Sequence, residues 1–248
     1  MLTLFDLQCR GCTRGERSGG SNGIGFAIPA SLVRQVVTQA QEGRNRFHRP
    51  WAGLRGQVLT AELAQNLQIS KTLGMIITAI HPQSPFHEAG FVVGDVVTAV
   101  DGKPVNTPAE LLYRLSVAGI GGIAQITRVT ARGSVSVSLD LISAPDVPKR
   151  TITEFDERSF FPDLKVSSIN PAVVAELNLP WGSKGFVVLA SGRIAASIGI
   201  KQGDILLSAN GQDLMKAEDI DAILSSGGRR GILLVQRGAH KVSLRFRL

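Results

Sequence analysis

One pattern of fourteen residues occurs twice and limits what this chain can become. Ala89-Gly90-Phe91-Val92-Val93-Gly94-Asp95-Val96-Val97-Thr98-Ala99-Val100-Asp101-Gly102 is answered by Ile198-Gly199-Ile200-Lys201-Gln202-Gly203-Asp204-Ile205-Leu206-Leu207-Ser208-Ala209-Asn210-Gly211. Both copies keep the Gly-x-x-x-Gly-Asp spacing and the closing glycine. Gly203 lies 109 residues after Gly94, so each copy belongs to a unit the size of an ordinary domain.

Each copy reads as the same run of local structure. Gly94 and Gly203 supply a backbone position of positive φ that a side chain would obstruct. The short carboxylates of Asp95 and Asp204 accept backbone N–H groups in an Asx-type turn. The apolar runs 96–100 and 205–209 suit strands. Asp101-Gly102 and Asn210-Gly211 are strong hairpin signals, followed by return strands at 103–105 and 212–214. Helical patterns come next at 107–115 and 217–224, the first with Thr107 as N-cap and Pro108 in the first turn.

This order of elements resembles the PDZ domain in the circularly permuted form of the bacterial HtrA/Deg (Do-like) serine proteases. The resemblance covers roughly residues 18 to 248. It implies a mainly β fold with short helices, as two PDZ-like domains, each a partly open β-barrel or sandwich capped by two helices. The divisions expected are 1–50 (an unmatched N-terminus, a protease-domain remnant and a linker), 51–144 (first PDZ domain), 145–159 (linker) and 160–248 (second PDZ domain). In the linker, two prolines stand among many charges.

Within the first unit, Trp51-Ala52-Gly53-Leu54 matches the aromatic-x-Gly-hydrophobic segment that forms the family's carboxylate-binding loop. Successive N–H groups in a glycine-containing turn converge into a nest for an anion. The strand edge that follows takes an extended peptide by β-augmentation. By resemblance, Leu54 floors the pocket, Leu111, Leu112 and Leu115 line the groove helix, and Arg55 adds charge attraction; core packing is the competing role for those leucines. The second unit offers Phe161-Pro162-Asp163-Leu164 at the same place. Asp163 stands where glycine is expected and brings negative charge toward the ligand's carboxylate, and Pro162 deletes a donor. The first domain is thus expected to bind peptide more strongly than the second.

Before the repeats, Gly19-Gly20-Ser21-Asn22-Gly23-Ile24-Gly25-Phe26-Ala27-Ile28-Pro29 is similar to the last strand of an HtrA-type protease domain. Ala30 to Gln41, with Leu32, Val33, Val36 and Val37 on one face, is similar to the helix that leaves it. A catalytic serine needs a His and an Asp upstream of it in that fold. The four histidines, His48, His81, His87 and His240, all lie in the linker or the repeats, so catalysis by this chain alone is not expected. Residues 1–17 lack a basic start, an uninterrupted apolar stretch and a cleavage site, so no signal peptide is read there. Taken as written, that start implies the cytoplasm, whereas the resemblance implies the periplasm.

Composition narrows the field further. Hydrophobic residues at 44% and charged residues at 19% are those of a soluble globular protein. No apolar run approaches the ~18 residues of a membrane span. The net charge is +7, yet basic residues are spread singly apart from Lys149-Arg150 and Arg229-Arg230, and no nucleic-acid motif accompanies them. Cys9 and Cys12 form one C-x-x-C pair, half of what a zinc site needs, and read as incidental. No metal or cofactor is expected.

These readings converge on a non-catalytic tandem PDZ protein that captures unfolded polypeptides or protein C-termini and has HtrA-type protease subunits as possible partners. Two alternatives stand beside it: a fragment of an active HtrA-type protease whose catalytic domain lies outside this chain, and a scaffold that binds one specific C-terminus.

Overall fold

Short apolar runs separated by Gly-containing turns produce two antiparallel sheets. The computed structural model describes residues 28–66, 73–130, 133–226 and 230–247; Cys9, Cys12 and the segment 18–27 lie outside them. Helix α1 (Ala30–Gln41) leads into the first unit. There β1 (Leu54–Val58), α2 (Ala61–Asn66), β2 (Met75–Ile80), α3 (Pro85–Glu88), β3 (Val96–Val100), β4 (Lys103–Pro104), α4 (Pro108–Ala118), β5 (Ile123–Thr130) and β6 (Gly133–Asp140) follow in order. The second unit has β7 (Ile152–Glu154), β8 (Lys165–Ser168), α5 (Pro171–Leu177), β9 (Phe186–Ala190), α6 (Gly192–Ser197), β10 (Ile205–Ala209), β11 (Gln212–Asp213), α7 (Asp219–Ser226), β12 (Arg230–Arg237) and β13 (His240–Arg247).

The first sheet runs β1-β2-β3-β5-β6, with β4 paired to β3; the second runs β13-β12-β10-β9-β8-β7, with β11 paired to β10. Both are open sheets, not closed barrels, and among the described residues three short helices accompany each. Strand for strand they correspond, except that β7 is an extra edge strand drawn from the expected linker. Even the irregularities repeat: register breaks fall between Arg55 and Gly56 and between Lys165 and Val166. Each sheet folds over its own core, around Phe86, Phe91, Leu111, Leu115 and Ile126 in one unit and Phe161, Leu164, Ile200, Leu206 and Leu224 in the other. Full burial of each such side chain contributes about 1.5–3 kcal/mol. Strand β6 is less buried than its alternation implies: Leu139 is buried, but Val135 is exposed.

The repeated motif folds alike in both copies. Gly94 and Gly203 have φ of +97° and +87°, conformations closed to most side chains. Asp95 Oδ2 accepts the Val92 N–H at 3.0 Å, and Asp204 Oδ2 accepts the Lys201 N–H at 2.9 Å. Asp101-Gly102 and Asn210-Gly211 all carry positive φ, between +47° and +81°, as a type I′ hairpin requires. Thr107 caps α4, its Oγ1 accepting the Glu110 N–H at 3.1 Å, while Glu110 reaches back to the Asn106 N–H at 2.7 Å.

Each motif aspartate also meets an arginine thirty-three residues later. Arg128 donates to Asp95 Oδ2 and to the Gly90 carbonyl, both at 2.6 Å. Arg237 donates to both oxygens of Asp204, at 2.7 and 2.6 Å, and to the Gly199 carbonyl at 2.7 Å. The pair ties the turn before β3 or β10 to the neighbouring strand β5 or β12. Asp204 is only 1% exposed, and its hydrogen bonds hold the Arg237 guanidinium above its ordinary pKa.

The segments flanking the sheets are tied down. Helix α1 lies against α4, with Gln35 seated over Gly119 and Gln39 bonded to the main chain of His48 in both directions. Its valines Val33, Val36 and Val37 stay exposed, so the docked face is the glutamine face. The stretch between the units is held at both ends. Trp51 N–H donates to the Ile142 carbonyl at 2.8 Å, and Ala172 N–H to the Pro145 carbonyl at 3.1 Å. Arg150 bridges Asp146 and Glu176, and Asn170 donates to Asp146. The hydrogen bond from Arg150 lowers the Glu176 pKa; those from Asn170 and then Arg150 lower that of Asp146.

Replacing Arg237 with alanine leaves the buried Asp204 carboxylate unpaired and is expected to cost roughly 2–4 kcal/mol. Removing Arg44, which pairs with Glu42 at the surface, is expected to cost about 0–1 kcal/mol; urea unfolding compares the two. Because the folded pKa values of Asp146 and Glu176 are depressed, their contribution is present above the ordinary carboxylate range and lost as pH falls through the lower folded values. Thermal unfolding between about pH 6 and about pH 3 should therefore fall less steeply for Arg150→Ala than for the unaltered chain.

Candidate functional site

Strand β1 is the edge of the first sheet, and its free side can be assigned residue by residue. The His81 N–H donates to the Gly53 carbonyl at 2.8 Å, and Leu54 faces Ile80. In an antiparallel ladder this makes Leu54–Ile80 a non-hydrogen-bonded pair, so the N–H and C=O of Leu54 turn away from β2. The Leu59 N–H donates to the Gly74 carbonyl at 2.9 Å, which does the same for Val58 opposite Met75. Gly56, between them in the alternation, also faces outward. Three residues thus offer a row of main-chain donors and acceptors along an open edge.

Helix α4 flanks that edge. Leu54, Arg55, Gly56, Pro108, Leu111 and Leu112 line a groove of ≈ 230 Å³ between the two. Leu112 is exposed on the helix, while Leu111, 1% exposed, reaches the groove from the core side. Leu115 does not share this position: it is likewise 1% exposed and lies within the hydrophobic core. Arg55 is exposed, and its main chain is turned toward β2 opposite Ala79.

At the N-terminal end of β1, Trp51-Ala52-Gly53 forms the loop. Gly53 has φ +59°, and a Cβ there would lie 2.8 Å from both Ser84 Cβ and the Trp51 ring. Ser84, fully buried, fixes the loop from behind by donating to the Ala52 carbonyl at 2.6 Å while capping α3. Trp51 N–H is used on Ile142; among the described residues, the N–H groups of Ala52 and Gly53 have no partner. The Trp51 ring meets the His81 ring edge-on at 5.3 Å, and His81 meets Trp181 of the second unit at 6.5 Å. Burial lowers the His81 pKa, and its Nδ1 accepts the Gln83 N–H. The loop also borders a cleft of ≈ 960 Å³ whose lining includes Arg44, Arg46 and Arg49 as well as Asp146, Arg150 and Glu176.

The loop of the second unit has the same backbone and different connections. Asp163 takes φ +61°, as Gly53 takes +59°. Its N–H, however, donates to the Phe155 carbonyl at 3.0 Å, and the Leu164 N–H to the Phe161 carbonyl at 3.2 Å. Phe161 and Leu164 are fully buried in the core, and Pro162 is partly exposed. Arg128 and Arg237, which brace the motifs, are not among the candidate residues that the sequence motifs single out. The signal was present, since they stand at the same 109-residue offset as the glycines.

An open sheet edge beside a groove helix, with a positive-φ loop at its head, defines a PDZ domain. The PDZ domain family model matches residues 76–119 and 187–237, one stretch in each unit, so the chain carries two. Over 228 residues it is 28% identical to the periplasmic serine endoprotease DegP of Escherichia coli K12, covering 91% of this chain and 45% of that protein. A probable periplasmic DegP-like serine endoprotease of Rhizobium meliloti is 30% identical over 220 residues, covering 86% and 43% respectively. The HtrA-type protease AlgW, solved with a decapeptide, aligns with 27% identity and a TM-score of 0.40 over 53% of this chain and 40% of that one. The two units are PDZ domains whose sequence is similar to part of DegP-like endoproteases, and the chain spans just under half the length of the curated relatives it matches.

Gly53→Ala forces a Cβ into Ser84 and the Trp51 ring at a left-handed backbone position. It is expected to destabilise the first domain by roughly 1–3 kcal/mol. Asp163→Gly, which relieves a left-handed non-glycine residue, should be neutral or stabilising by up to about 1 kcal/mol. Chemical unfolding followed by tryptophan fluorescence measures both.

Proposed function

We propose that the first PDZ domain captures the C-terminus of an extended polypeptide and that the chain does so without hydrolysing it. The observation that carries this reading is the outward-facing main chain of Leu54, Gly56 and Val58 beside the apolar groove. A peptide added antiparallel to β1 runs with its last residue at the Leu54 end. Its final side chain enters the groove against Leu54, Leu111 and Leu112. Its carboxylate lies at the Ala52 and Gly53 N–H groups, at the cleft whose lining includes Arg46 and Arg49, where desolvated donors and positive charge favour an anion.

Unfolded or C-terminally exposed chains are the proposed ligands, because main-chain pairing demands extension and little sequence. The named relatives are endoproteases of about twice this length, which supports a role as the recognition portion of such an enzyme. Their names also support placing this chain in the periplasm. The four histidines lie at 48, 81, 87 and 240, all within or beside the PDZ domains, which supports a non-catalytic assignment. Casein cleavage by the purified chain, abolished by a serine-directed inhibitor, would overturn that assignment.

A peptide with a free carboxylate and an apolar last residue is expected to bind the intact chain at least about tenfold more tightly than its amidated twin, roughly 1.4 kcal/mol. Leu112→Glu, on an exposed helix position, should weaken that binding with little change in stability. Equal affinity for the two peptides by titration calorimetry refutes capture through the carboxylate.

A further inference from the structure

The second sheet differs from the first by one strand, and that strand lies where a ligand would. Strand β8 presents the main chain of Val166 and Ser168 outward, and Leu164 just before it presents its carbonyl; these are the counterparts of Gly56, Val58 and Leu54. The outward assignment follows as before, from the Ile169 N–H donating to the Gly185 carbonyl and Ser168 facing Phe186. In the first domain this edge is open among the described residues. In the second it is covered by the chain itself. The Ser168 N–H donates to the Thr151 carbonyl at 2.9 Å, Thr153 stands opposite Val166, and the Phe155 N–H donates to the Leu164 carbonyl at 2.9 Å. The Asp163 N–H, in the loop, donates to the Phe155 carbonyl at 3.0 Å.

The side chains show the same anchoring. Thr151, Ile152, Glu154 and Asp156 are exposed, whereas Phe155 is 6% exposed, in one cluster with Phe161, Leu164, Ile220 and Leu224. One buried aromatic at the head of a solvated three-residue strand is the pattern of a docked peptide, not of a core strand. We infer that residues 151–155 are a ligand carried in cis, and that the second groove is a binding site for an internal extended segment anchored by phenylalanine rather than for a chain end.

The loop chemistry agrees with that ligand class. The chain continues past Phe155, so the loop holds a neutral carbonyl where a terminal ligand would place a carboxylate. The negative side chain of Asp163 and the missing N–H of Pro162, both unfavourable to an anion, leave a carbonyl unaffected. Tethering supplies the segment at millimolar effective concentration, so the same sequence offered in trans competes only once the anchor is weakened.

The probe is the peptide Arg-Thr-Ile-Thr-Glu-Phe-Asp, residues 150–156, acetylated and amidated so that it has no carboxyl terminus for the first domain. By fluorescence anisotropy the unaltered chain should bind it at least about tenfold more weakly than Phe155→Ala, and a peptide with alanine for phenylalanine should bind neither. Folded Phe155→Ala that fails to bind the probe, or equal binding by the unaltered chain, overturns the inference. Because Phe155→Ala can also cost stability, native-state hydrogen exchange on the unaltered chain gives a second test. The Phe155 and Asp163 amides should exchange through local opening, at least about tenfold faster than the core amides of Val188 and Leu206. Exchange together with those core amides makes β7 an integral strand and refutes the proposal. Neither measurement depends on whether the first domain binds peptide.

Discussion

A carboxylate held between a turn and an arginine organises each half of this protein. Asp95 and Asp204 accept main-chain N–H groups of the turn that precedes them, and Arg128 and Arg237 close the arrangement from the adjacent strand. An aspartate so placed accepts a main-chain N–H of the turn while the arginine balances its charge, which is partly buried at Asp95 and fully buried at Asp204. The turn then points β3 and β10 into the centre of their sheets. Everything that forms the grooves, including the position of helices α4 and α7, follows from where those central strands lie.

The two grooves start from one main-chain design and end in different states. In both domains alternate residues of the edge strand turn their polar groups outward, at matching positions and with matching register breaks. The first domain leaves that edge open and heads it with a glycine loop backed by Ser84. The second lays residues 151–155 along it and heads it with Asp163. Small changes in loop chemistry thus separate a loop whose Ala52 and Gly53 N–H groups have no partner among the described residues from one whose Asp163 N–H donates to the Phe155 carbonyl. The stretch between the domains belongs to this division, because Arg150, Asp146 and Asn170 hold it against α5 immediately before it becomes β7.

Features built from neighbouring residues were legible in the sequence. The Asp-Gly and Asn-Gly hairpins, the Thr107-Pro108 cap and the positive-φ glycines each depend on a few adjacent residues whose conformational limits are intrinsic, so they sit where the spacing places them. The groove leucines were legible only in part. Helical periodicity puts Leu111, Leu112 and Leu115 on one α4, but rotation of that helix against the sheet decides that Leu115 is core and Leu112 exposed. The valines of α1 share one face in the sequence pattern, yet Gln35 and Gln39 make the hydrogen bonds, because their amides reach main-chain groups that valine cannot satisfy.

By itself, the sequence determined the doubled unit and the order of strands and turns within each repeated motif, because these rest on local dihedral preferences and on a repeat at constant offset. Tertiary structure alone decided which edge stays open. Thr-Ile-Thr-Glu-Phe carries too few apolar residues to announce a strand, and its pairing with β8 spans a loop whose closure depends on a pocket for Phe155. That pocket exists only after Phe161, Leu164, Ile220 and Leu224, distant in the chain, have packed together.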